Sequence, residues 1–287
     1  MEQFVTARDG ARLCVETFGD PADPAVLLIG GAASPMDYWE DGFCESLAAG
    51  GRWVVRYDAR DTGRSTTWPV GKPGYTFAEL KADPVAVLDG LGLERAHVVG
   101  LSMGASIATT LATRHRDRVL TLTLATSSPG GPDLPAPSAA VSASFTEPAP
   151  PVDPADRAAL VAKMVADLRL FTGTLPFDEE HVRALVERIV DRSDAPAAAD
   201  NHWLLVGGDD DEEPTDIGSI AVPTLVWHGS ADPLFPLPHG RAYADRIPNA
   251  RLVVLEGVGH EYPPPSTWDI VVTELLAHTA QGAPALP

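Results

Sequence analysis

Ser102 lies between two glycines in the stretch Ala96-His97-Val98-Val99-Gly100-Leu101-Ser102-Met103-Gly104-Ala105. A serine hydroxyl is a poor nucleophile at neutral pH, and it becomes reactive where a base takes its proton and an acid orients that base. Both residue types recur farther along, each just after a short apolar run. Asp232 closes Gly229-Ser230-Ala231-Asp232 behind Val222 to His228, and His260 closes Glu256-Gly257-Val258-Gly259-His260 behind Arg251 to Leu255. The chemistry these three side chains could share is attack of an alcohol on a carbonyl carbon, with the proton relayed through an imidazole.

That chemistry needs elements that bring three distant positions together. The β-branched run before Ser102 reads as a strand and Met103 to Arg114 as a helix, so the serine stands on the sharp turn between them. Such a turn crowds the backbone, and the residues two before and two after the serine must be nearly free of side chain; Gly100 and Gly104 meet that need. Asp232 and His260 fall on loops at the carboxyl ends of two further strands, and the chain order Ser, Asp, His is that of α/β-hydrolases. The rivals are placed less well. Glu256 and Glu261 belong to the histidine's own strand and loop and Asp269 to the closing helix, while His228 ends a strand and His239 starts a helix.

The remaining elements form an alternation. Phe4 to Phe18 reads as an opening antiparallel hairpin around Asp9-Gly10, and Ala25 to Ile29 as a strand covered on both faces. The small-residue loop Gly30-Gly31-Ala32-Ala33-Ser34 follows. Trp53 to Tyr57 is another buried strand, running into the charged loop Asp58 to Ser65, where Arg60 and Asp61 read as a structural salt-bridge loop. A helix is expected from near Thr76 to Leu93 and a strand over Val119 to Ala125. From Ser127 to about Pro151 the composition shifts to Ser, Pro, Gly and Ala and periodicity disappears. Asp153-Pro154 then reads as the cap of a helix, Phe177 to Val190 as a second helix capped by Asp178, and the surroundings of Trp203 as a third. After the acidic run Asp209 to Glu213, read as a solvated loop, come a strand over Val222 to His228 and helices over Leu237 to Arg246 and Thr267 to Thr279. The expectation is an α/β fold: a mostly parallel eight-stranded sheet with helices on both faces, its core spanning 1–128 and 216–287, and a helical cap inserted over 129–215.

Composition bounds the partners. A formal charge of −19 argues against nucleic acid and anionic membranes. No apolar run approaches membrane-spanning length, and the first residues lack a secretory pattern, so a cytoplasmic location is expected. Cys14 and Cys44 read as buried free thiols. The aromatic residues Trp39, Trp68, Phe171, Trp203, Trp227 and Tyr262 are candidates to line a pocket, although each is individually more typical of a core.

The chain resembles α/β-hydrolases over nearly its whole length. More narrowly, Arg56-Tyr57-Asp58-Ala59-Arg60-Asp61-Thr62-Gly63-Arg64-Ser65-Thr66-Thr67, the Ala96 to Ala105 stretch and Val222-Pro223-Thr224-Leu225 resemble the aclacinomycin methylesterases of anthracycline biosynthesis. The chain has Gly30-Gly31 where many hydrolases have His-Gly, and Arg60-Asp61 where many have Arg-Gly; the methylesterase group is similar in both. The resemblance implies removal of a methyl ester from a polyketide-type or other hydrophobic small molecule. Ser102 would be the nucleophile, His260 the base and then acid, and Asp232 the orienter, with an acyl-enzyme between and no cofactor or metal. The oxyanion donors would be the backbone N–H groups of Met103 and Ala32, with Gly31 as the alternative to Ala32. A cofactor-free perhydrolase or lactonase and a non-catalytic hydrolase-fold receptor remain the alternatives, and either a monomer or a homodimer is compatible with the sequence.

Overall fold

The computed structural model describes residues 2–147, 152–206 and 215–281. Five strands are buried along nearly their whole length: β3 (Ala25–Ile29), β4 (Trp53–Tyr57), β5 (Ala96–Leu101), β6 (Val119–Ala125) and β7 (Thr224–Gly229). Strands buried on both faces settle in the middle of a sheet covered on both sides. With β1 (Gln3–Thr6), β2 (Arg12–Phe18) and β8 (Ala250–Leu255) they form an eight-stranded sheet in the order β1-β2-β4-β3-β5-β6-β7-β8. The β1–β2 and β2–β4 pairs are antiparallel and every other pair is parallel, as the alternation and the opening hairpin predict.

Successive residues of a strand point to opposite faces, and the two cores follow that period. Leu27, Ile29 and Val98 face one cluster, covered by α2 (Phe77–Gly90) and α3 (Met103–Arg114). Val26, Leu28 and Val99 face the other, with Trp39, Trp227, α1 (Asp41–Ala49) and α8 (Trp268–Thr279). Trp39 and Trp227 are therefore core residues. The helix α7 (Pro238–Arg246) precedes β8. Cys14 and Cys44 are buried free thiols. Among the described residues no helix is long and apolar enough to cross a membrane.

Between β6 and β7 the chain leaves the sheet. It forms α4 (Ala139–Thr146), α5 (Arg157–Phe171), α6 (Glu179–Arg192) and a 3-10 segment over Pro196–Leu204. Val161 and Val165 of α5 pack on Val186 and Val190 of α6 in a small core of their own. The sequence reading differs at three places. α4 arises within a stretch without apolar periodicity, because one buried residue, Val141, suffices to seat it. The cap of α5 is Asp156, whose side chain accepts from the N–H of Ala159; Asp153 instead accepts from Ala155 in the preceding turn. The Trp203 region is a run of 3-10 turns, not an α-helix. The acidic run over 209–213 lies outside the described residues.

The inserted helices are tied to the sheet through charge. Arg192, at the end of α6, donates to Glu2 (2.7 Å), Asp37 (2.8 Å) and Asp58 (2.7 Å), and Asp58 is wholly buried. Arg60 pairs with Asp83 (2.8 Å) and with Asp9, a structural role as expected. Asp61 differs from expectation: among the described residues it makes no ion pair but accepts from the Trp68 backbone N–H, the Tyr75 hydroxyl and the Asn201 amide.

Candidate active site

The loops at the carboxyl ends of β3, β5, β6, β7 and β8 meet on one rim of the sheet, and Ser102 stands at its centre. Its backbone has φ 54° and ψ −116°, a left-handed conformation that a side chain strains. Neighbouring chain leaves no room for alternatives. A Cβ on Gly100 would lie 2.2 Å from the carbonyl oxygen of Gly104, and one on Gly104 would lie 2.4 Å from that of Ile29. The two glycines thus let the turn close against β3.

The three side chains read from the sequence come together. His260 Nε2 is 2.9 Å from Ser102 Oγ, and His260 Nδ1 is 2.9 Å from Asp232 Oδ2. Asp232 is buried, and its Oδ1 accepts the N–H groups of Leu234 (2.8 Å) and Phe235 (2.7 Å), which fixes the carboxylate plane. With Nδ1–H donating to that carboxylate, Nε2 presents its lone pair to the serine hydroxyl. The rings of Phe171 and Phe235 flank His260 at centroid distances of 5.9 and 5.4 Å.

The rival histidines hold packing positions. His239 Nδ1 accepts from the Ser128 hydroxyl (2.7 Å) and its Nε2 donates to the Pro135 carbonyl (2.9 Å). His228 donates from Nε2 to the Phe235 carbonyl (2.6 Å), and burial pushes its pKa down. Glu261 accepts at Oε1 from Gly259 (2.9 Å) and Gly173 (3.3 Å), which bridges the His260 loop to the α5–α6 connection; burial raises its pKa.

The backbone amides of the loop after β3 differ in their partners. Gly31 N–H donates to the Tyr262 hydroxyl (2.9 Å) and Ala33 N–H to His202 Nδ1 (2.9 Å), so both are engaged. Between them Ala32 N–H has no acceptor among the described residues, and Met103, the first residue of α3, has none within its helix. Gly31 lies against the serine: a Cβ there would sit 3.5 Å from Ser102 Cβ.

Above the rim opens a cavity of about 710 Å³ lined by Ser102, His260, Tyr38, Phe77, Phe145, Phe171, Trp203 and Tyr262 among others. Of the six aromatics singled out in the sequence, Phe171, Trp203 and Tyr262 reach it. The other wall comes from α5, with Met164, Leu168 and the ion pair Lys163–Asp167 (2.7 Å). Phe145 and Trp203 meet edge to face at 5.9 Å. Sequence reasoning did not find Tyr38, Phe77, Phe145, Lys163 or His202, and it weighed Glu261 only as a rival orienter; nothing in their spacing marks them, since Phe77 enters at the first residue of α2 and the others from a loop or from the insertion. Among the described residues no group of three or more His, Cys, Asp or Glu side chains is arranged to hold a metal ion.

The sequence matches the α/β-hydrolase fold family over residues 24–262. The chain belongs to the α/β-hydrolase family. Within that family it is 34% identical to rhodomycin D methylesterases of Streptomyces peucetius and of Streptomyces sp. (strain C5), each alignment covering 97% of this chain and 98% of the relative. The methylesterase resemblance carried by the three motifs therefore extends along the whole α/β-hydrolase. A crystal structure of a hydrolase from Pseudomonas aeruginosa superposes with a TM-score of 0.71 at 25% identity, covering 96% of this chain and 97% of that one.

Proposed function

We propose that this α/β-hydrolase cleaves a carboxylic ester of a hydrophobic small molecule through an acyl-enzyme on Ser102. The observation that carries the reading is the continuous relay Ser102–His260–Asp232, with both links at 2.9 Å. Ser102 Oγ attacks the carbonyl carbon while His260 Nε2 takes its proton, and the imidazolium is held by Asp232. The oxyanion forms between the amides of Ala32 and Met103; removing one such donor typically costs about 2.7–4 kcal/mol of barrier lowering. Collapse expels the alcohol, which takes its proton from His260. Water activated by the same imidazole then releases the acid and regenerates the serine hydroxyl.

Residues 129–215 act as a cap on a core of 1–128 and 216–287 in this reading, because α5 and the Pro196–Leu204 segment supply much of the cavity wall. The aromatic lining suits a flat, apolar acyl part, and the methylesterase relatives make a methyl ester of a polyketide-type compound the preferred substrate class. Two measurements test this. Ser102→Ala should abolish hydrolysis of p-nitrophenyl acetate, and undiminished turnover would remove the mechanism. Methanol release from polycyclic aromatic methyl esters should exceed that from methyl acetate; the reverse order would remove the substrate class.

A further inference from the structure

We infer that His202, contributed by the inserted helical segment, is a positioning residue that sets the oxyanion loop from above. This rests on the reading of Ala32 as an oxyanion donor. Ala32 precedes Ala33, a non-glycine residue held at φ 54°, where an L side chain is strained by about 1 kcal/mol or more. A strained residue in a small-residue loop stays put only if its surroundings over-determine it. The restraint on Ala33 is the bond from its N–H to His202 Nδ1 at 2.9 Å.

His202 has no freedom to do otherwise. It is 0% exposed, and its Nε2 lies 2.7 Å from the carbonyl oxygen of Arg60, which can only accept. Nε2 therefore carries the proton and Nδ1 the lone pair, the one tautomer that can receive the Ala33 N–H. The neighbouring Asn201 anchors the same turn: it donates to Asp61 Oδ2 (2.9 Å) and accepts from the Gly71 N–H (2.7 Å). On the other side of Ala32, Tyr262 fixes Gly31. Ala32 is thus spanned by two side-chain acceptors from distant parts of the chain, and the imidazole of His202 is the one supplied by the insertion. The seating of the inserted segment is thereby coupled to the direction in which the Ala32 amide points.

Asparagine and glutamine separate the two bonds. The asparagine amide overlays Nδ1 and can accept from Ala33, whereas the glutamine amide overlays Nε2 and can only replace the bond to Arg60. If His202 positions the oxyanion loop, His202→Asn keeps kcat for p-nitrophenyl acetate within about tenfold of wild type. His202→Gln and His202→Leu lose about 100-fold, the scale of a misplaced oxyanion donor, with KM within about threefold in all three. Amide hydrogen exchange over residues 31–34, read by mass spectrometry, should accelerate in the glutamine and leucine variants and stay near wild type in the asparagine variant. Thermal unfolding of each variant identifies losses due to misfolding. Equal kcat for the asparagine and glutamine variants, or unchanged exchange over 31–34 in His202→Leu, overturns the inference. Persistence of ester turnover in Ser102→Ala would instead overturn the reading of the site on which it rests.

Discussion

Replacing Asp232 by asparagine changes one atom and should cost about four orders of magnitude in kcat. In the native site Asp232 Oδ1 receives two backbone N–H groups, from Leu234 and Phe235, and Oδ2 receives His260 Nδ1–H. An introduced amide must keep its oxygen toward the two backbone donors, because an NH2 there would face two N–H groups. Its NH2 then takes the place of Oδ2 and donates to His260 Nδ1. The imidazole proton is forced to Nε2, which lies 2.9 Å from Ser102 Oγ, so the base loses the lone pair it needs. The penalty for the wrong tautomer at such a relay is ~10⁴-fold in kcat, or about 5 kcal/mol at roughly 1.36 kcal/mol per tenfold. KM for a small ester should change little, because Asp232 lines no part of the cavity. The assay is the steady-state hydrolysis of p-nitrophenyl acetate by Asp232→Asn, alongside circular dichroism to confirm the fold. A variant within tenfold of wild-type kcat would refute the reasoning, and activity lost in Glu261→Gln instead would move the role of orienter to that side chain.

Other expectations follow from burial and charge. Arg192→Met strips the buried Asp58 carboxylate of its cation and should lower the unfolding free energy by about 3–5 kcal/mol in urea titrations; a loss under 1 kcal/mol would contradict the anchoring role. His97 is buried and its pKa is pushed down to about 4 by desolvation, so the unfolded chain binds its proton first. The corresponding stability is complete above about pH 6.5 and falls away as pH drops toward 4, about 2 kcal/mol of it by pH 5. Burial raises Asp83 to about 6, which acts in the opposite direction over the lower part of this window, so His97→Asn is the comparison that isolates the histidine. That variant should show a shallower loss of urea resistance between pH 7 and 5, and an equally steep one would contradict the assignment. Trp203→Ala removes one ring of the pair with Phe145 on the cavity wall and should raise KM for bulky aromatic esters about tenfold while leaving p-nitrophenyl acetate unaffected.

The sheet and the relay were legible because each rests on a local pattern. Unalternating runs such as Ala25–Ile29 admit only a doubly covered strand, and the glycines two residues either side of Ser102 are what a turn pressed against β3 requires. The loops after β7 and β8 follow from counting strands, which is why Asp232 and His260 could be chosen over His228, His239 and Glu261. The sequence favours Ala32 over Gly31 as the proposed second oxyanion donor, but the engagement of the Gly31 amide by Tyr262 that supports this was not legible, being a contact across 231 residues. His202 was hidden for the same reason: its partners are the backbone atoms of Ala33 and Arg60, and backbone atoms leave no trace in residue type. The insertion was legible as helices where an apolar stripe existed, as in α6. It failed at α4 and around Trp203, where very few buried residues hold short segments in place and leave no apolar stripe.

The central claim is that Ser102 becomes covalently acylated during turnover. Rapid-quench mass spectrometry of the enzyme mixed with p-nitrophenyl acetate, followed by peptide mapping, addresses it directly. The account predicts an acetyl group on the peptide containing Ser102, formed at a rate no slower than kcat and absent in Ser102→Ala. An acetyl group on another residue formed at that rate, or full turnover by Ser102→Ala, would contradict it.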